Sequence, residues 1–369
     1  MELKEDIIIK INKDKNQCVD CKLCFNDCTM MKNFSNSPKE LMIDILNENI
    51  DINEVSYSCM LCGLCTERCP QGIDLKSTFC DIRKDIALKD KKILRKKGYS
   101  VVRFHQINSF SKMFSKNINL NKSQQIFLPG CSLSSYSEDI VLSIYEYLKI
   151  HYENIGMTFM CCGKPTLAMG DIKKFEKYYS KFEKEICSGN ITEIIVACPN
   201  CYNTISKNSK GIKVTSIYEV IKKFKIPEKL KNNYQNLELA VHDSCSVRGE
   251  INIHDSVRSI LSELGVSIVE FKNNRKNTVC CGAGGMVGVT NLEIALKQVS
   301  NRASETSCEN IVCYCESCCE SLINCNKNIL HILDLLFNED VINHKKITQS
   351  KRGTMDKWKI RYKTNKLSK

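Results

Sequence analysis

Ten cysteines fall into two matching sets of five. The first is Cys131, Cys161-Cys162-Gly163 and Cys198-Pro199-Asn200-Cys201, and the second is Cys245, Cys280-Cys281-Gly282 and Cys315-Glu316-Ser317-Cys318. Between Gly163 and Cys198 lie 34 residues, and between Gly282 and Cys315 lie 32. A free thiol is usually a small buried hydrophobe. Five thiols repeated in one order at one spacing mark instead two copies of a metal site. Thiolates without histidine or carboxylate partners in the pattern point to iron–sulfur chemistry.

Two denser runs precede them. Cys18, Cys21, Cys24 and Cys28 form one C-x-x-C-x-x-C-x-x-x-C run, and Cys59, Cys62, Cys65 and Cys69 form another, which ends in Pro70. Three thiolates at this spacing wrap one 4Fe–4S cube, and the fourth ligates the other cube. The predicted ligands are therefore Cys18, Cys21, Cys24 and Cys69 for one cluster, and Cys28, Cys59, Cys62 and Cys65 for the second. Zinc prefers two C-x-x-C pairs per ion and fits these triplets poorly.

The 369-residue chain carries 24 cysteines but only 6 prolines and 16 glycines, unlike a small disulfide scaffold. No signal peptide and no apolar run of about 18 residues is legible, so the expectation is a cytoplasmic protein, with peripheral membrane association left open. Thiols stay reduced in the cytosol, where clustered cysteines mean metal or redox chemistry. The formal charge is +12. Four clusters at about −2 each would cancel about 8 of it, so the lysine excess does not call for nucleic acid. No stacking platform for nucleic acid is present either.

These residues need elements to hold them. Pro38–Leu46 reads as a short amphipathic helix between the two runs, and Leu75–Leu88 as a second helix that carries Cys80 in its packing face. Residues 89–122 read as a basic helical linker in which His105 has no role. Then strands alternate with helices: strand 124–129 before Cys131, helix 138–152, strand 157–160 before Cys161, helix 173–186 and strand 194–196 before Cys198. The second copy repeats them, with strand 239–241, helix 256–264, Val279 leading to Cys280, helix 292–303 and strand 311–312. Each copy closes alike, Ser216-Ile-Tyr-Glu-Val matching His331-Ile-Leu-Asp-Leu. This alternation predicts parallel α/β layers. Cysteines at strand ends before helices meet free backbone N–H groups, which lower thiolate pKa and stabilise anionic clusters. The expected fold class is α/β: a helical two-cluster ferredoxin domain over 1–90, a linker over 91–123, repeated cysteine-rich α/β domains over 124–228 and 237–337, and a basic tail over 338–369.

Some features are weighed and set aside. Gly282-Ala-Gly284-Gly285 fails the dinucleotide pattern at Val287, and no Gly-Lys-Ser/Thr follows for a phosphate loop. Cys187, Cys308, Cys313, Cys319 and Cys325 read as core or incidental thiols. His242 and Asp243 precede Cys245 only in the second copy. They could supply protons or simply form a strand-end hydrogen-bond pair. Arg248 could balance cluster charge or anchor an anion. The tail, with Trp358 among lysines, reads as a fraying terminus or a docking segment.

With all these cysteines placed, the chain resembles the cysteine-rich iron–sulfur subunit of heterodisulfide reductase. It is also similar to the iron–sulfur subunits of glycolate oxidase and anaerobic glycerol-3-phosphate dehydrogenase, over Cys18 to Leu336. The resemblance implies two CCG cysteine-rich domains, each associated with a non-cubane 4Fe–4S cluster. The implied ligands are Cys131, Cys161, Cys162, Cys198 and Cys201, and then Cys245, Cys280, Cys281, Cys315 and Cys318. The implied activity is disulfide reduction, with Cys245, Cys280, Cys281 and His242 as the catalytic group. The other implied role is a non-catalytic electron-transfer subunit beside a flavoprotein dehydrogenase. The chain has no flavin fingerprint, so either role requires a flavoprotein or other redox subunit, and the first also requires a small-molecule disulfide.

Overall fold

The computed structural model describes residues 3–187, 190–344 and 348–367; residues 1–2, 188–189, 345–347 and 368–369 lie outside the description. The N-terminal third is helical. Helix Pro38–Leu46 starts at Ser37, whose hydroxyl accepts from the Glu40 N–H at 3.1 Å, with Pro38 in the first turn. It buries Leu41, Met42 and Ile45. Helix Leu75–Lys89 starts at Asp74 and buries Phe79, Ile82 and Ile86, each contributing about 1.5–3 kcal/mol. The stretch read as a linker forms helices Lys91–Lys96 and Tyr99–Asn108.

Among the described residues nine strands follow: β1 Asn117–Ile118, β2 Gln125–Leu128, β3 Gly156–Thr158, β4 Glu193–Val196, β5 Lys213–Ser216, β6 Glu238–His242, β7 Ser267–Glu270, β8 Asn310–Cys313 and β9 Asn328–His331. The first sheet runs β1-β3-β2-β4-β5 and the second β7-β6-β8-β9. β1 pairs antiparallel with β3, and the pairings of the other strands are parallel. The two sheets share one strand order, so the cysteine repeat is also a structural repeat. β1 lies inside the segment read as linker.

Three expectations are corrected. The strand matching β3 is β7, not Val279; residues 271–279 carry the chain through a turn at Arg275–Asn277 before Cys280. The helix expected from Ser256 begins at Ile251. The tail is ordered where it is described: Thr354–Leu367 is a helix with Arg361, Thr364 and Asn365 buried. Arg361 donates to the carbonyls of Phe114 and Phe159, and the Thr364 hydroxyl to that of Ser134. A lysine-rich composition concealed three inward polar residues that tie the helix to backbone.

The two repeats face each other reciprocally. Helix Glu138–His151 of the first packs on helix Ile332–Phe337 of the second, while helix Ile217–Phe224 of the first packs on helix Ile251–Glu263 of the second. Each closing helix carries a capping box. Ser216 and Glu219 make the first. In the second, His331 Nδ1 accepts from the Leu333 N–H at 3.3 Å while Asp334 accepts from the His331 N–H at 3.2 Å. Burial pushes the His331 pKa down to about 3. The unfolded chain, with histidine near 6.5, therefore takes up a proton first as pH falls. The His331 contribution is complete above pH 6.5 and declines by about 1.4 kcal/mol per unit towards pH 3. Moving from pH 7.5 to 5 should cost about 2 kcal/mol more in wild type than in His331→Asn, read as the difference in denaturant unfolding free energy.

Candidate metal centres

The predicted cube ligands converge as two groups. One cavity is lined by Cys28, Cys59, Cys62 and Cys65 with Met30 and Phe79 around them, and a second by Cys18, Cys21, Cys24 and Cys69 between Pro38 and Pro70. Cys24 borders both. The out-of-run cysteine of each group is therefore brought to the other run, as the spacing requires. Burial pushes Cys59 up to about 12, and burial with Cys69 and Cys18 beside it pushes Cys24 up to about 11. Burial, then Cys62 and Cys65, raise Cys28 further. Thiols packed this closely do not ionise together without a cation, so the donor set fits an iron–sulfur core that deprotonates its ligands. Cys21 is exposed, with Val19 and Leu23 exposed beside it, so the group of Cys18, Cys21, Cys24 and Cys69 faces solvent.

The paired sets are built at strand ends. Cys131 follows β2 through Pro129-Gly130, and Gly130 at φ +83° has room for no side chain, since a Cβ would lie 2.7 Å from the Cβ of Cys198. Cys198 and Cys315, two residues past β4 and β8, are the N-caps of helices Pro199–Asn208 and Glu316–Leu322. The Gly163 N–H donates to the Cys161 sulfur at 3.4 Å, and the Gly282 N–H to that of Cys280 at 3.4 Å. Within the first set Cys131 contacts Cys161, Cys161 contacts Cys162, Cys162 contacts Cys201 and Cys201 contacts Cys198. The second set repeats the pattern, with the sulfurs of Cys281 and Cys318 3.2 Å apart. In each set the second cysteine of the pair, Cys162 or Cys281, has its pKa pulled down by hydrogen bonds from two neighbouring thiols.

The sets also meet each other. Cys198 hydrogen-bonds with Cys315, and Asn200 Nδ2 lies 3.9 Å from the Cys315 sulfur. Reciprocal side-chain bonds flank this junction: Ser132 Oγ to Ser317 Oγ at 3.0 Å, and Ser246 Oγ to Asn200 Oδ1 at 2.6 Å. At its other end the second set faces the dicluster domain, with Cys245 and Cys62 close enough to raise each other's cost of ionising, and Cys280 lining the cavity of the second cube. The thiols thus form one succession from exposed Cys21 to Cys131.

Gly284 and Gly285 have a different use from the one their pattern suggested. A Cβ on Gly284 would fall 2.3 Å from the Met60 carbonyl, and one on Gly285 2.3 Å from that of Cys59. The glycines let the second repeat lie directly on the second cysteine run. Arg83 locks this contact: Nε donates to Ser56 O at 2.9 Å, Nη2 to Cys59 O at 2.6 Å, and Nη1 to Ala168 O at 2.7 Å and Gly285 O at 2.6 Å. One fully buried guanidinium joins all three units.

The other candidates separate by role. Asp243 is structural. Burial works to raise its pKa, but hydrogen bonds from His254 and Arg258 outweigh it and hold the carboxylate well below its usual range. Arg248 clamps carbonyls of Cys62, Lys276 and Thr278 across the boundary between units. Cys308, Cys313 and Cys319 are buried, Cys80 and Cys325 half-buried, and Cys187 exposed; Cys319 hydrogen-bonds with Cys313. His242 is buried, and burial followed by Arg302 pushes its pKa down to about 3. At neutral pH the ring is therefore neutral and carries one ring proton. His105, given no role by the sequence, lies with Nε2 3.9 Å from the Cys161 sulfur and groups with Cys131. Nothing in the sequence links it to a cysteine 26 positions away. Trp358 of the tail helix packs against it at 5.8 Å. Among the described residues no helix is long and apolar enough to cross a membrane.

Comparison with known proteins agrees with this architecture. Residues 17–74 match the 4Fe-4S dicluster domain, and residues 126–206 and 239–322 match the cysteine-rich (CCG) domain. An iron–sulfur protein of Methanococcus maripaludis is 24% identical over 342 residues, covering 82% of this chain and 66% of that protein, just under two thirds of its length. A fumarate reductase (CoM/CoB) subunit of Methanothermobacter marburgensis is 22% identical, covering 88% and 72%. A dihydromethanophenazine:CoB–CoM heterodisulfide reductase subunit of Methanosarcina acetivorans is 20% identical, covering 78% and 76%. The chain belongs to the iron–sulfur proteins that join a 4Fe-4S dicluster domain to two CCG cysteine-rich domains.

Proposed function

We propose that the protein reduces a small thiol disulfide at its paired five-cysteine sets, working as the iron–sulfur subunit of a larger oxidoreductase. The observation that carries this reading is the junction at Cys198 and Cys315, where two complete sets face each other. Cleaving one disulfide consumes two electrons and two protons and yields two thiols. Iron–sulfur clusters held at the four cysteine groups would supply one-electron carriers in series. The chain's own part is to fix their order, keep the inner thiols dry, and open the outer ones. Arg83 and the glycine pair hold the second cube's cavity against Cys280. Cys131, Cys198 and Cys245 are partly buried while the cysteine pairs are fully buried, so a disulfide would reach the sets through those three. Relatives named as heterodisulfide reductase subunits support the reaction class.

The competing role is an electron conduit for a flavoprotein that oxidises a hydroxy acid or glycerol phosphate. Its support is the exposed group at Cys21, suited to a redox partner. Protein purified without oxygen should hold about 16 iron atoms per chain, four clusters of four, and should turn over disulfides with a reduced viologen as donor. About 8 iron atoms and no disulfide turnover would leave only the conduit.

A further inference from the structure

The two cysteine sets match, but their surroundings do not. Three residues before the first cysteine of each set, at the end of β2 or β6, stands Leu128 in the first copy and His242 in the second. Both are buried. His242 Nδ1 accepts a hydrogen bond from Arg302 Nε at 3.0 Å. Arg302 is itself fully buried and held. Its Nη1 donates to Asn273 O and Glu305 at 2.8 Å each, its Nη2 to Thr278 Oγ1 at 3.3 Å, and its plane lies 3.8 Å from the centroid of the Phe271 ring.

An arginine side chain never accepts, so Nδ1 must be the bare nitrogen and the ring proton must sit on Nε2. Arg302 therefore fixes the tautomer. His242 Nε2 is buried and has no hydrogen-bond partner among the described residues. The ring groups with the sulfurs of Cys281 and Cys318, the three ligating atoms within 4.8 Å of one another. A buried N–H left unpaired is costly, and a sulfur acceptor at that place would offset the cost.

We propose that His242 is a positioning residue whose Nε2–H donates to a sulfur of the iron–sulfur group held by the second set. It thereby raises the reduction potential of that set above the value it would have with an apolar residue in this place, such as Leu128 of the first copy. A hydrogen bond to a cluster sulfur favours the more negative, reduced form. The inference rests on the second set holding a cluster, not on which molecule the protein reduces.

The test is a redox titration followed by electron paramagnetic resonance on the full chain purified without oxygen, comparing wild type with His242→Leu and His242→Gln. The expected result is unchanged iron per chain in both variants. One of the four midpoint potentials should fall in His242→Leu, stay closer to wild type in His242→Gln, which keeps an N–H donor, and leave the other three unmoved. No shift in His242→Leu overturns the inference, as does an equal shift in both variants. Loss of iron in both would make His242 a ligand and overturns it too. A second measurement is pulsed resonance on wild type and His242→Leu, both labelled with 15N-histidine. A weak nitrogen coupling on a paired-set signal that disappears in His242→Leu supports the hydrogen bond. A strong coupling from direct ligation, or none, overturns it.

Discussion

Replacing Arg83 with methionine should lower unfolding stability by about 3–5 kcal/mol, among the largest effects expected of any single substitution here. The side chain fills similar space, but four buried carbonyls, of Ser56, Cys59, Ala168 and Gly285, lose their donor. Those carbonyls belong to three different units, so one substitution loosens all of their contacts at once. Arg83→Lys should rescue little. It keeps the charge but has no planar fork to serve four acceptors at once. The check is denaturant unfolding of both variants, with limited proteolysis of residues 91–116 as a second readout. A loss below about 1 kcal/mol for Arg83→Met would mean that the carbonyls find other donors.

The second large effect concerns which cysteine serves which cube. Cys69→Ala should remove the cluster grouped with Cys18, Cys21 and Cys24, about a quarter of the iron if four clusters bind. Cys28→Ala should remove the other cube, grouped with Cys59, Cys62 and Cys65, by the same amount. Pairs of substitutions separate the assignment from general damage. Cys69→Ala with Cys21→Ala should lose no more iron than Cys69→Ala alone, because both fall on one cluster, whereas Cys69→Ala with Cys28→Ala should lose twice as much. Iron and acid-labile sulfide per chain give the count. Equal losses in the two double variants would sink the crossed arrangement.

The cysteines announced most of this organisation, because ligand spacing is a local constraint on a flexible chain and leaves its mark in the sequence. The helix Pro38–Leu46 was readable to the residue from its proline and its apolar face. The order of strands was not, since nine residues separate β7 from Cys280 where two separate β3 from Cys161, and β1 is two residues long. The contacts that join the units were not legible either. Arg83 looks like any other charged residue on an amphipathic helix, and only the three-dimensional arrangement shows its fork facing inward. His105 and Arg361 were hidden for the same reason: they reach the first set from segments with no pattern of their own. The glycines at 284 and 285 carried a true signal of close approach, but the sequence could not say that the approaching body was the backbone of Cys59 and Met60.

That last contact bears on how the protein is made. The dicluster cysteines leave the ribosome first, yet the surface that finally covers them is not the next to appear. Gly285 lies 220 positions after Cys65. At about 5–20 residues per second, the second run waits about 10–45 s for its covering turn to be synthesised. During that interval Cys59, Cys62 and Cys65 stand open on a nascent chain, accessible to iron delivery and equally to oxidants. The docking of the second repeat closes the interval, so a cluster loaded at these cysteines before docking would have only that long to be inserted, and a pause between the two repeats would lengthen it.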